Sequence, residues 1–524
     1  MSTNQDDLPR QRFAQYMLVV VGLALAMLLG LLVQALLAYY FGAGPSTDAL
    51  FMARDITDVV TKLLLPSQTV GILMPMFLAM RTERGSEAWQ ELSAVLTAVL
   101  LAATPLVLVT VALAPALVAL FAPGFSDATA DETARLLRYL APMMWCTLGS
   151  ALAVSILQAR ERFGRSMIAA VAGQAATVSA LPPLVTAEGV TGASLALVAG
   201  SVMQFFVAWA LVVKEGMPVL ANPLRHRDLV RAFAARTTPF FSYALAVQAG
   251  GVVYRISAST LGSGLFAALS FADRVQRALH TLIFLPIQTV LFPALARHQA
   301  EGRPNDLRVE LRAGLRYVIF AVTPLVAELA LLSEETVSML FERGEFGADA
   351  TENTAVALAI FGLALLPSGM YMLLEQASYA RSRTRLVIGA NITIAAVQGA
   401  LSYPLAKAFG IAGLPLAVLA ATTVGFFVYL ERLYPGATTR AARDQAGFAL
   451  RIAGCTAGML LLSIAAREGV ERLADPPPGL RQAIVLVPVV FVGALTYVAL
   501  SIALGLSEPR RIAELARERL LPAR

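Results

Sequence analysis

Charge is what this chain has least of: only 15% of its 524 residues are Asp, Glu, Lys or Arg, against 57% hydrophobic. A soluble domain carries about 25% charged residues, so composition excludes an ordinary globular fold. Mean hydropathy is +0.69. Cysteine is nearly missing as well. Cys146 and Cys455 both lie in apolar runs, which leaves no disulfide framework and no thiolate metal set. The three histidines, His226, His280 and His298, are too scattered to add one, so no metal centre is expected. Also missing are a glycine-rich phosphate loop, paired Cys or His ligand spacing, and a Ser/His/Asp pattern that membrane depth would allow. An enzyme is therefore not expected. No soluble stretch is long enough for a nucleotide-driven domain. Any transport would draw on the membrane potential, on an Na+ or H+ gradient, or on the substrate gradient, with no cofactor.

What the chain does have is uncharged length. Residues 13–47, 92–126, 386–406, 408–430 and 482–507 carry no charged side chain, and each reaches the ~20 residues a helix needs to cross hydrocarbon. The first run is too long for a cleavable signal and reads as a retained span. The expectation is an all-α integral membrane protein with about fourteen transmembrane helices. The net charge of +6 sits in short loops. Arg81 and Arg84, then Arg160, Arg162 and Arg165, then Arg225, Arg227 and Arg231 alternate with acidic loops such as Asp127, Asp131 and Glu132. That alternation is topology control rather than a nucleic-acid footprint, and it puts both termini in the cytoplasm.

The chain also repeats itself. Gly42 and Gly44 open a helix with Phe51, Arg54, Leu65, Pro66, Gln68 and Thr69. Gly262 and Gly264 open another with Phe271, Arg274, Leu285, Pro286, Gln288 and Thr289 at the same spacing. Six spans per copy give both copies the same sense in the membrane, related by an axis along its normal with a cleft between them. The expected domains are an N-terminal six-helix lobe (1–220), a basic cytoplasmic linker (221–236) and a C-terminal six-helix lobe (237–435). Two extra transmembrane helices (436–506) and a cytoplasmic amphipathic tail (507–524) follow.

Ionisable residues inside spans are costly and face a cavity or a partner. Arg54, Asp58 and Lys62 share one helix face, and so do Asp273, Arg277 and His280. Arg54–Asp58 and Asp273–Arg277 can be internal ion pairs. Lys62, Arg255 and Arg274 exceed the acids available to neutralise them, in both halves, and surplus guanidinium and ammonium groups suit an anion such as a phosphate. The candidate substrate-binding set is Arg54, Lys62, Arg255, Asp273, Arg274 and Arg277. Pro66 and Pro286, in mid-span, are candidate hinges, with Gln68 and Gln288 placed to satisfy the freed backbone groups. Glu328, Glu375 and Lys407 lie near span ends and are expected to reach water. Asn391 and Thr393 are weak candidates for a cation site.

Several segments resemble the MurJ/MviN lipid II flippase family. They are 41–51 (FGAGPSTDALF), 122–125 (APGF), 254–259 (YRISAS), 272–274 (ADR) and 340–346 (LFERGEF), in the family's order. The resemblance covers nearly the whole chain. It implies the fold of the multidrug/oligosaccharidyl-lipid/polysaccharide exporter superfamily, with two six-helix lobes around a cationic cavity and two C-terminal helices forming a groove for a polyprenyl tail. The implied activity is alternating-access movement of undecaprenyl-pyrophosphate-linked peptidoglycan precursor from the inner to the outer leaflet of the bacterial inner membrane. The implied partners are the polyprenyl-pyrophosphate glycolipid, the bilayer and cell-wall synthesis proteins. The chain departs from the family pattern at Met27 and Val33, where arginines are usual, at Gln34 in place of an acid, at Thr61 beside Lys62, and at Tyr254. The alternatives are another polyprenyl-linked polysaccharide unit as cargo, or a non-transporting scaffold for envelope synthesis. A drug or cation antiporter would want surplus carboxylates, the reverse of the pattern here.

Overall fold

The computed structural model describes residues 7–64, 87–160, 162–216, 221–434, 437–473 and 481–509, and among these there is no strand. Its contacts divide the chain into two compact units, Met1–Ala267 with Gly344–Phe346, and Ala268–Arg343 with Gly347–Arg524.

In the first unit α1 (Asp7–Phe41) ends where Gly42 turns left-handed at φ 59°, a backbone state that costs glycine little. α2 (Pro45–Leu64) follows at once, with Pro45 as its first residue and Asp48 in its first turn, both suited to a helix start. α3 (Glu87–Ala112) and the short α4 (Ala114–Phe121) lead to α5 (Asp127–Ala159). Ser126 caps α5 by accepting the Thr129 amide at 3.3 Å. α6 (Phe163–Lys214) and α7 (Arg227–Ser259) complete the unit. Its core joins Leu92, Val95, Leu96 and Leu100 of α3 to Leu148, Leu152 and Ile156 of α5, to Trp209 and Val212 of α6, and to Phe233 of α7.

The second unit takes most of α8 (Leu265–Ala300), then α9 (Pro304–Leu331), α10 (Ser333–Phe341), α11 (Ala348–Ala380), α12 (Thr384–Phe409) and α13 (Gly413–Leu433). α14 (Ala437–Leu473) and α15 (Arg481–Ala503) close it.

Among the described residues ten helical stretches are long and apolar enough to cross a membrane. Two of them, Gly164–Lys214 and Thr384–Leu433, hold 51 and 50 residues. A straight helix that long would run about 75 Å, more than twice the ~30 Å of hydrocarbon. Both fold back instead. In α6 the break is at Gly189 (φ 56°, ψ −133°), and a Cβ on Gly192 would strike the Leu184 carbonyl, on Gly200 the Thr177 side chain, on Gly173 the Gln204 side chain. Those pairs run antiparallel away from Gly189. The second stretch breaks at Gly410 (φ 57°, ψ −131°), and Gly413 and Gly425 press on Leu405 and Ile394 in the same way. Lipid offers apolar helices no hydrophobic reason to associate, so close backbone approach at small residues must hold each hairpin. With each hairpin counted as two arms, the described residues hold twelve candidate spans. The expected fourteen further requires α2 and α7, neither of which is in the apolar set.

Four polar contacts fasten α14, α15 and Glu508 just beyond it to α9 and α10. Arg316 pairs with Glu508 at 2.7 Å, the Tyr497 hydroxyl donates to the Phe320 carbonyl at 2.9 Å, Ser463 donates to Glu328 at 3.2 Å, and Arg467 pairs with Glu335 at 2.5 Å. Glu328 therefore does not reach water as expected; it is 7% exposed. Its position in the sequence looked terminal, but α10 follows directly and α15 covers it, with Gly493 leaving room for the carboxyl.

Candidate functional site

α2 buries Leu50, Met52, Ala53, Ile56, Val59 and Val60 on one side, and Arg54, Asp55, Asp58 and Lys62 share the other. A guanidinium or carboxylate brought to membrane depth needs a partner or a polar ligand. Arg255 of α7 finds one across the first unit: Nε donates to Asp55 Oδ2 at 2.9 Å, and Nη1 donates to the Gly251 carbonyl one turn back at 2.8 Å. The two side chains are 13% and 21% exposed. Arg255 was expected as a surplus cation; its neighbour in sequence is Tyr254, and the neutralising acid comes from a different helix.

Arg54 takes the opposite position. The Arg54–Asp58 pair that helical spacing allows is not among the ion pairs of the described residues. Arg54 is half-buried, and its Nε and Nη1 are buried without a hydrogen-bond acceptor among them. Lys62, two turns further on, is exposed. Arg54, Lys62 and Arg255 against Asp55 and Asp58 leave one positive charge in excess. On α1, Gln34 is 5% exposed with its Oε1 unbonded.

In the second unit Asp273 and Arg277 pair along one face of α8, Nε lying 2.7 Å from Oδ2. Arg274 is half-buried and makes contacts of its own. The His280 ring packs 4.6 Å from that of Phe284. Pro286 lies inside α8, which continues through it, and the Gln288 amide goes to the Met372 sulfur. Pro66, Gln68 and Thr69 lie outside the described residues. Asn391 and Thr393 do not converge. The Thr393 hydroxyl bonds the Gly389 carbonyl of its own helix at 2.9 Å. Asn391 donates to Glu375 at 2.9 Å and accepts from the Tyr429 hydroxyl at 3.3 Å. Glu375 was expected to reach water at a span end, and instead it is held in this polar group on α11, α12 and α13. Lys407 is exposed.

Sequence reasoning missed Asp55 as the partner of Arg255 and Asp48 as a cap. The Asp48 carboxylate, 1% exposed, accepts the Gly264 amide at 2.5 Å and the Ala267 amide at 2.7 Å, closing the N-terminus of α8. Around it the Gly124 amide donates to Ser259 Oγ at 3.1 Å, and the Glu345 amide to the Tyr39 carbonyl at 3.0 Å. A Cβ on Gly42 or Gly344 would strike the Glu345 or Tyr39 carbonyl. Hydrogen bonds thus tie segment 122–125 to 254–259 through Ser259 and segment 41–51 to the start of α8 through Asp48, and Gly42 packs on Glu345 of segment 340–346, which is why glycine, serine and aspartate recur in these segments.

A model of the family described as Lipid II flippase MurJ matches residues 37–473. A protein named probable lipid II flippase MurJ from Rhizobium tropici is 27% identical over 76% of this chain and 77% of its own length. Among solved structures, lipid II flippase MurJ in an inward closed conformation superposes with a TM-score of 0.76 at 20% identity, covering 93% of this chain and 98% of the other. An inward-facing multidrug resistance MATE transporter of the MOP superfamily gives 0.66 at 17% identity, over 79% of this chain and 98% of the other.

Proposed function

Because the chain belongs to the lipid II flippase MurJ family, we propose that it moves the polyprenyl-pyrophosphate-linked peptidoglycan precursor from the inner to the outer leaflet by alternating access. It is a transporter rather than an enzyme, a multi-pass protein of the bacterial inner membrane. The observation that carries the site is Arg54. A half-buried guanidinium with two unbonded N–H groups is costly at rest and is matched to phosphate oxygens, which take paired N–H donors. In this reading Arg54 and Lys62 contact the diphosphate, while Arg255 is held in position by Asp55. We extend substrate contact to Asp273, Arg274 and Arg277 of the second unit, and keep Pro66 and Pro286 as hinges. Both termini lie in the cytoplasm, 1–220 and 237–435 are the two lobes, and cell-wall synthesis proteins take up the exported precursor.

The test is rescue of a flippase-depleted cell, scored by labelling precursor at the outer surface. The unaltered chain restores labelling; Arg54→Ala and Arg255→Ala, each present in the membrane at normal level, do not. Normal labelling with Arg54→Ala removes the proposed diphosphate contact. Failure of the unaltered chain to restore any labelling points to another polyprenyl-linked glycan as cargo.

A further inference from the structure

One end of the second unit gathers guanidinium groups around one tyrosine. Tyr434 follows the last turn of α13, its ring bedded against the core that includes Leu307, Ala377 and Leu433. Arg381 donates from Nη2 to the Tyr434 hydroxyl at 2.9 Å, with its guanidinium carbon 5.0 Å from the ring centroid. Arg308, in the second turn of α9, sits over the same ring at 5.7 Å. Arg383 reaches the end of α13 at the Arg432 carbonyl, 3.4 Å away.

The backbone between two of these arginines is itself unusual. Ser382 is the one non-glycine residue at positive φ, 56°, among those described, a region that favours glycine. The Arg383 amide donates to the Ser378 carbonyl and the Ser382 amide to the Tyr379 carbonyl, both at 2.9 Å, which is the closing pattern of a helix C-terminus. That turn presents Arg381 and Arg383 from either side of one residue.

Among the described residues none of Arg308, Arg381 and Arg383 makes an ion pair. Burial pushes the Tyr434 phenol above its ordinary pKa, and the groups that pull it back are Arg381, Arg308 and Arg383. Arg308 and Arg383 are exposed. Val309, next to Arg308 in α9, is 68% exposed, and Phe427 on α13, two turns before Tyr434, is 49% exposed, apolar surface of the kind acyl chains cover. Three like charges around one ring, two of them exposed and with exposed apolar side chains on the same helices, call for an anion that brings its own hydrocarbon.

We propose that Arg308, Arg381 and Arg383, arranged around Tyr434, bind the phosphate of an anionic phospholipid. The site lies wholly in the second unit and uses none of the residues assigned to the transported precursor, so it stands whichever glycan is carried.

The full-length protein, purified in neutral detergent, is titrated with phosphatidylglycerol, with phosphatidylcholine, and with inorganic phosphate, and retained lipid is read by native mass spectrometry. Phosphatidylglycerol is expected to be retained in preference to phosphatidylcholine. Each of Arg308→Gln, Arg381→Gln and Arg383→Gln should weaken that retention about fivefold, and the triple variant about a hundredfold. Arg303→Gln, whose partner is Glu301 at 3.4 Å, serves as a control and should leave it unchanged. Arg308→Gln removes an exposed side chain, so its result stands even where the triple variant fails to fold. Equal retention of both lipids overturns the proposal, as does unaltered phosphatidylglycerol retention in Arg308→Gln. Displacement of the lipid by millimolar inorganic phosphate also overturns it, by assigning the site to a soluble anion.

Discussion

Arg255 and Arg54 are the same side chain in two electrostatic situations, and they should respond to substitution in opposite ways. Arg255 is paired, so Asp55→Asn leaves a largely buried guanidinium without its carboxylate, at a cost of about 3–5 kcal/mol. The double variant Asp55→Asn/Arg255→Gln should unfold at a higher temperature than Asp55→Asn alone, and a double-mutant cycle in detergent measures the coupling. Additive losses would mean that the pair contributes nothing beyond its separate members. Arg54 has no acceptor to lose. Arg54→Gln should keep or raise the unfolding temperature, by the equivalent of up to about 1–3 kcal/mol, while abolishing precursor exposure. A large drop in melting temperature would mark Arg54 as a structural residue. Both charges were visible in the sequence as charges inside a span. Their pairing was not, because Asp55 and Arg255 lie on α2 and α7, and helical spacing points Arg54 toward Asp58 instead.

The helical hairpins concentrate their specificity in one backbone position each. Gly189 and Gly410 have nothing within reach of an added Cβ, so substitution there tests the dihedral angles alone. Gly189→Ala and Gly410→Ala should each cost about 1–3 kcal/mol, read as a lower unfolding temperature. Unchanged melting in both would show that the hairpins are held by their Gly173–Gln204 and Gly425–Ile394 contacts rather than by the bend. The fastening of α14–α15 makes a second prediction. Ser463→Ala removes the one hydrogen bond described to the Glu328 carboxyl and should cost about 1–3 kcal/mol, whereas Glu328→Gln keeps a side chain that can accept from Ser463 and should cost less. Hydropathy revealed these elements readily, since uncharged runs such as 386–406 and 408–430 bracket α12 and α13. Depth was harder to read. Glu328 and Glu375 stand near the ends of apolar runs, yet Ser463 and Asn391 hold them inside, and those partners come from helices that sequence proximity does not reveal.

For the molecule as a whole, duplication and charge alternation in the sequence conveyed the membrane class and the doubled design, because both are written in long-range composition rather than in contacts. The capping role of Asp48 was hidden for the converse reason, since it depends on the Gly264 and Ala267 amides meeting one carboxylate. Cargo charge adds a prediction at this scale. An inside-negative potential favours outward passage of an anion by about 2.3 kcal/mol per charge per 100 mV. In vesicles clamped with a potassium ionophore, precursor should therefore accumulate in the leaflet facing the positive side and redistribute when the clamp is reversed. Indifference to the clamp would mean that the diphosphate charge is fully compensated during passage. The two glycine bends also bear on ancestry. Gly189 and Gly410 differ by no more than 2° in φ or ψ, although their hairpins belong to different units. Such agreement is what the doubling of a single-unit forebear that already held the bend would leave behind.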